Sequence, residues 1–76
     1  MALSGPKNDL KKSNELENAG KTLEAKKVLM ESKPVKGEEK EYEIANYLLA
    51  MNYSETMEEK IKYLKKIADN IKKIKY

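Results

Sequence analysis

An apolar residue stands at every third or fourth position near the end of this sequence, from residue 57 to residue 74. Lysines fill most of the positions between them. This spacing matches the 3.6 residues per turn of an α-helix, so the apolar residues share one face. Thr56 and Glu59 stand where a capping box would begin such a helix. We predict an amphipathic helix over 56–75 whose apolar face packs on the rest of the chain. That face comprises Met57, Ile61, Leu64, Ile67, Ala68, Ile71 and Ile74.

The segment 38–52 carries two apolar stripes. The Ile44 stripe consists of Ile44, Leu48 and Met51, and the Leu49 stripe consists of Tyr42, Ala45, Leu49 and Tyr53. We expect the helix over 56–75 to cover the Ile44 stripe and to leave the Leu49 stripe poorly covered. Uncovered apolar surface of a few hundred Å² usually marks a binding site. The Leu49 stripe is therefore predicted to hold a docked partner or a second copy in a homodimer, with Leu49 near its centre.

Glycine and proline divide the remaining sequence into helical segments. Gly20 suits the left-handed position after a helix, with Thr22 as the cap of the next one. Pro34 and Gly37 mark a second break. We predict an all-α fold of four helices, paired as two antiparallel helical hairpins in a repeat-like array or a four-helix bundle. The predicted helices are 7–19, 22–32, 38–52 and 56–75, in a single helical domain over 7–76 that follows a flexible N-terminal arm over 1–6.

Charge is segregated along the chain, although the net charge is only +3. Residues 37–59 carry a net charge of −6 and residues 60–76 carry +6. All sixteen basic residues are Lys, which suffices for phosphate attraction but lacks the bidentate geometry of Arg. Non-specific nucleic-acid binding is therefore the alternative function. An antiparallel hairpin should neutralise much of the charge by placing Glu38, Glu39, Glu41 and Glu43 beside Lys65, Lys66 and Lys72.

The sequence offers little for catalysis or for metal binding. It contains no Cys and no His, so nucleophile–base pairs and common metal ligands are missing. A phosphate-binding loop ending at Gly20 needs an earlier glycine where Glu15 stands. We expect no enzymatic activity, no cofactor and no metal. No apolar run is long enough to span a membrane, and no secretory signal is visible, so we expect a cytoplasmic protein.

The segment Gly20-Lys21-Thr22-Leu23-Glu24-Ala25 resembles the turn of the tetratricopeptide repeat, which places Gly five residues before a small residue. Ser13, Leu16, Leu29 and Ser32 fall on further small or large positions of that repeat. A second copy starts 32 residues later. A generic four-helix bundle is the competing explanation. The second copy places Ile44, Ala45, Leu48, Asn52, Met57, Ile61 and Leu64 at the corresponding positions.

The resemblance implies a groove for a peptide or a partner helix, formed by the inner faces of the first helix of each hairpin. Asn14 and Asn46 share a repeat position at which the family often holds a ligand backbone. Tyr42, Leu49 and Tyr53 would lie nearby. The leading interpretation is thus a non-enzymatic module that binds a protein or peptide partner, or itself, through an apolar helical groove or face.

Overall fold

A computed structural model describes residues 5–75, and their side chains from residue 5 to residue 71. The helices are α1 (Pro6–Asn18), α2 (Thr22–Met30), α3 (Glu39–Leu48) and α4 (Met57–Lys75), and a π-helical turn (Leu49–Tyr53) continues α3. Helix α1 packs on α2, and α3 packs on α4. The predicted all-α fold with four helices is confirmed.

The first hairpin turns at Gly20, which has a φ of +80°. This left-handed conformation favours glycine because it has no Cβ, and it agrees with the predicted role of Gly20. Ser13 and Ala25 are buried where α1 meets α2, and the Ser13 hydroxyl donates to the Ala25 carbonyl at 3.3 Å. The prediction that Thr22 caps α2 is wrong, since its hydroxyl donates instead to the Glu17 carboxylate at 3.0 Å.

Helix α1 starts earlier than the sequence suggested. Gly5 and Pro6 are buried, and Pro6 is the first helical residue. The Lys7 backbone N–H donates to Glu38 Oε1 at 2.9 Å, so a carboxylate from the start of the second hairpin caps α1. Gly5 and Pro6 therefore belong to the folded domain and not to the predicted arm, whose residues 1–4 lie outside the described residues.

The core is small and centres on α3 and the π-helical turn, which lie between α1, α2 and α4. Because α3 has neighbours on two sides, it buries the face that carries Ala45, and the π-helical turn continues this face with Ala50; small side chains there allow close approach. The Leu49 stripe faces this core, and the Ile44 stripe is the more exposed one. The expectation for these two stripes is therefore wrong. The buried core residues are Leu29, Ala45, Leu49, Ala50 and Tyr63, with Leu10, Leu48 and Tyr53 packed against them.

Helix α4 packs on α3 and the π-helical turn, and it meets the first hairpin through an ion pair between Glu59 and Lys26 of α2. It packs through Tyr63, which is 2 % exposed, and through Asn70, whose amide donates to the Glu39 carbonyl at 3.0 Å. Leu64 follows Tyr63 by one position, so it points about 100° away from that contact. Most of the predicted apolar core face of α4 consequently points away from the fold, and that prediction is wrong; the Ile74 side chain lies outside the described residues.

Three glutamates at the start of α3 accept hydrogen bonds and do not form the predicted ion pairs with the described lysines of α4. Glu38 accepts from Lys7, Glu39 accepts from the Gly37 backbone N–H at 3.1 Å, and Glu43 accepts from the Asn70 amide at 3.3 Å. Within the described part of the chain, the ion pairs join Lys26 to Glu59 at 3.3 Å and, more weakly, to Glu55 at 4.0 Å. The predicted pairing of these glutamates with Lys65 and Lys66 does not form, and the Lys72 side chain lies outside the described residues.

Candidate interaction surfaces

Two of the five predicted binding residues come together in one cleft. Asn14 on α1 and Tyr53 at the end of the π-helical turn line an open cleft of about 380 Å³. Asn14 is exposed, and Tyr53 is half-buried. The cleft lies between α1 and the end of α3. Its other lining residues are Leu10, Ser13, Glu17, Thr22, Leu48 and Asn52.

Tyr53 contributes a hydrogen-bonded phenol to this cleft. Its hydroxyl donates to the Glu17 carboxylate. Partial burial, followed by the hydrogen bond and the negative charge of Glu17, raises the pKa of Tyr53 above its ordinary value. The phenol is therefore neutral at physiological pH. With the exposed amides of Asn14 and Asn52, the cleft offers neutral hydrogen-bonding groups that could hold a peptide backbone.

The other three predicted residues lie elsewhere. Leu49 is 1 % exposed in the core, so the prediction that it forms the centre of a docking surface is wrong. Asn46 is also buried, and its amide donates to the Tyr42 carbonyl one turn earlier at 2.9 Å. Tyr42 is half-buried and lines a separate hollow of about 170 Å³ with Pro34, Lys66, Asp69 and Asn70. The five residues therefore do not form one groove.

The sequence did not predict that the apolar face of α4 is exposed. Ile61 is 55 % exposed and Leu64 is 37 % exposed, and Met57 and Ile71 are also exposed. We call the exposed apolar face of α4 the α4 stripe, formed by Met57, Ile61, Leu64, Ala68 and Ile71. On α3, Ile44, Tyr47 and Met51 are exposed as well.

The residues that the structure leaves exposed on α4 have a regular spacing. The residues of the α4 stripe are separated alternately by four and three positions, which is the a/d pattern of a helix that pairs with another helix. A face that serves a globular core is usually wider than this seam. The seam is therefore a candidate surface for contact with a second helix.

Charged residues border the α4 stripe. Glu58 and Lys65 lie along one edge, seven positions apart, and Lys60 lies along the other edge. On the opposite side of α4, the ammonium groups of Lys62 and Lys66 each lie 5.8 Å from the centre of the Tyr63 ring. These two lysines cover the buried tyrosine, and Lys60 and Lys65 make no ion pair with the described residues.

Neither a metal site nor a membrane span is found in the described residues. Over that part of the chain, no three acidic side chains come close enough together to bind an ion. None of the described helices has the length and apolar character needed to cross a membrane. The remaining candidates are the cleft and the exposed apolar face.

Comparison with known proteins does not assign this chain to a family. No family model, no curated protein and no solved structure matches this chain. The resemblance to the tetratricopeptide repeat therefore remains a prediction from the sequence.

Proposed function

We propose that this chain is a non-enzymatic protein-interaction module that binds the helix of a partner through the α4 stripe. The observation that carries the proposal is the exposure of a continuous a/d seam on a nineteen-residue helix. Exposed apolar side chains are ordinary when they are scattered singly. Here they recur on one helical face, which is the pattern of a binding surface.

The shape of the fold supports the same function. The chain measures 39 × 35 × 16 Å between its Cα extremes, so it is a flat slab. Stable domains usually cover an apolar face with a further layer of secondary structure. A partner helix laid along α4 would supply that layer and remove the exposed leucine, isoleucine and methionine side chains from water.

A photo-crosslinking amino acid at position 61 tests the proposal directly. The matched control carries the same group at Leu23, which is on α2 and is 79 % exposed. We expect a crosslink of discrete mass, to another protein or to this chain, from position 61 and none from position 23. The crosslink should disappear when Leu64 is also changed to Lys. Equal crosslinking from positions 61 and 23, or none from either, would contradict the proposal.

Non-specific nucleic-acid binding is the second candidate function. It is favoured by Lys60 and Lys65, which find no carboxylate partner among the described residues. Affinity based on phosphate contacts should fall steeply between 50 and 200 mM salt. Titration of a fluorescent oligonucleotide at the two salt concentrations tests this. A Lys60→Glu/Lys65→Glu variant should weaken the binding and flatten its salt dependence, whereas Ile61→Ser should leave both unchanged.

A further inference from the structure

We infer that the α4 stripe is occupied by a second copy of this chain, with the two α4 helices antiparallel across a two-fold axis. This inference rests on the proposed function and names its partner. A two-fold interface needs a surface that is complementary to itself. The α4 stripe meets that need in its apolar spacing, in its bordering charges and in its area.

The apolar spacing suits a pair of like helices. Met57, Leu64 and Ile71 occupy d-type positions, and Ile61 and Ala68 occupy a-type positions. In an antiparallel pair, an a-type residue of one helix lies in a layer with a d-type residue of the other. Ile61 then packs beside Leu64 of the second copy, and Met57 packs beside Ala68 of the second copy. Each large side chain of the outer layer thereby meets a small one.

The bordering charges select the antiparallel direction. Glu58 and Lys65 lie on the same edge of the α4 stripe. The antiparallel alignment places Glu58 of each copy beside Lys65 of the other, so the pair forms twice. A parallel alignment would instead bring Lys60 of one copy towards Lys65 of the other and create repulsion. Antiparallel helix dipoles also oppose each other favourably.

The available surface is sufficient for a dimer. A folded monomer of this mass exposes about 4,800 Å² by the usual scaling, whereas this chain exposes 5798 Å². A standard interface buries about 800 Å² on each partner. The exposed side chains of the α4 stripe offer a few hundred Å² of apolar surface towards that area.

Sedimentation equilibrium of the whole chain, from about 5 µM to about 500 µM, measures the self-association. We expect a reversible monomer–dimer equilibrium for the wild type. Ile61→Lys should weaken the dimer at least 100-fold, because it places a charge in an apolar contact. Leu23→Lys, at an exposed position of α2, should leave the dimer dissociation constant unchanged. Circular dichroism should show the same helix content for both variants, since neither residue is buried.

Charge exchange tests the antiparallel direction separately. Lys65→Glu and Glu58→Lys should each weaken the dimer about tenfold at low salt, and the difference should shrink in 0.5 M salt. The double variant Glu58→Lys/Lys65→Glu should restore the wild-type dissociation constant, because it re-forms both pairs with reversed polarity. Residues seven apart do not form a pair within one helix, so this rescue reports contact between copies. A failure of the double variant to recover would overturn the antiparallel arrangement.

The results also distinguish this inference from the proposed function. A strict monomer at 500 µM, or a dimer that Ile61→Lys does not weaken, overturns self-association through α4. If such a monomer still gives a position-61 crosslink to another protein, the proposed function stands and the second copy is the wrong occupant. If the dimer forms as described, both stand. If no crosslink and no dimer are found, both fall.

Discussion

Leu49 and Leu64 provide a test of the core, because the same substitution should have very different costs at the two positions. Leu49 is 1 % exposed and belongs to the core cluster, whereas Leu64 is 37 % exposed on the α4 stripe. Helix propensity changes little from Leu to Ala, so it contributes almost equally to both variants. The difference between them therefore measures burial.

Truncation at Leu49 should leave a cavity inside the core. Leu→Ala at such a site costs about 2–5 kcal/mol in lost transfer energy and cavity formation. A 76-residue domain has about 4–11 kcal/mol of total stability by the usual range per residue. We expect Leu49→Ala to remove a large share of the stability, and Leu49→Lys to unfold the chain. Leu64→Ala leaves no enclosed cavity and should cost about 1 kcal/mol or less.

Urea denaturation followed by circular dichroism measures both values. With a slope of about 1 kcal/mol per M, Leu49→Ala should lower the midpoint by about 2–5 M, and Leu64→Ala by about 1 M or less. If Leu49→Ala is too unstable to fold, Leu49→Met should still fold, with a loss below about 1.5 kcal/mol. The protein concentration must be a few µM, since self-association would add stability at high concentration. Equal losses at the two leucines would refute the assignment of Leu49 to the core and of Leu64 to the surface.

Three further predictions concern the turn, a cap and the cleft. Gly20→Ala should cost about 1–2 kcal/mol in urea denaturation, because its φ of +80° disfavours a Cβ although space is open around it. The pKa of Glu59 is lowered, mainly by the Glu55 backbone N–H and then by Lys26. The ionised form therefore favours folding above about pH 4.5, so Glu59→Gln should be less stable than the wild type at pH 7, and the difference should vanish as pH falls through the lowered pKa. Burial raises the pKa of both Tyr53 and Tyr63, so absorbance at alkaline pH should show late-titrating phenols, and Tyr53→Phe should remove one of them and leave that of Tyr63. Glu17→Gln should move the Tyr53 titration back towards the ordinary value.

The sequence predicted the helices well because their ends depend on local chemistry. Gly20 ends the first hairpin's opening helix through its own backbone conformation. The Thr56 hydroxyl accepts from the Glu59 backbone N–H at 3.1 Å, as the capping-box pattern indicates. Glu59 reaches the Glu55 backbone N–H instead of that of Thr56, so the reciprocal half of the box is displaced by one residue. Such contacts join residues that are close in the sequence, so the ends of these helices can be predicted from the sequence alone.

The rotation of each helix depended on contacts between distant residues, and there the sequence was misleading. Large apolar side chains suggested that the Ile44 stripe faces the core. The structure instead buries Ala45, Leu49 and Ala50, because α3 lies among three other elements and small residues allow close approach. Asn14 and Tyr53 do line one cleft, as predicted, because both residues lie beside the contact between α1 and the end of α3. Asn46 was displaced from it by the same rotation that buried Leu49.

Helix α4 shows why an amphipathic pattern alone cannot identify a core. An amphipathic pattern indicates that one face of the helix is apolar. The same pattern is found whether that face is covered by the helix's own chain or by another chain. On α4, the contact with α3 is made by Tyr63 and Asn70, which lie outside the apolar stripe. Helix α4 thus has two distinct faces. One packs on α3 through Tyr63 and Asn70, and the other is the exposed α4 stripe. The first attaches α4 to its own fold, and the second is the face on which we propose that another helix completes the small core of this chain.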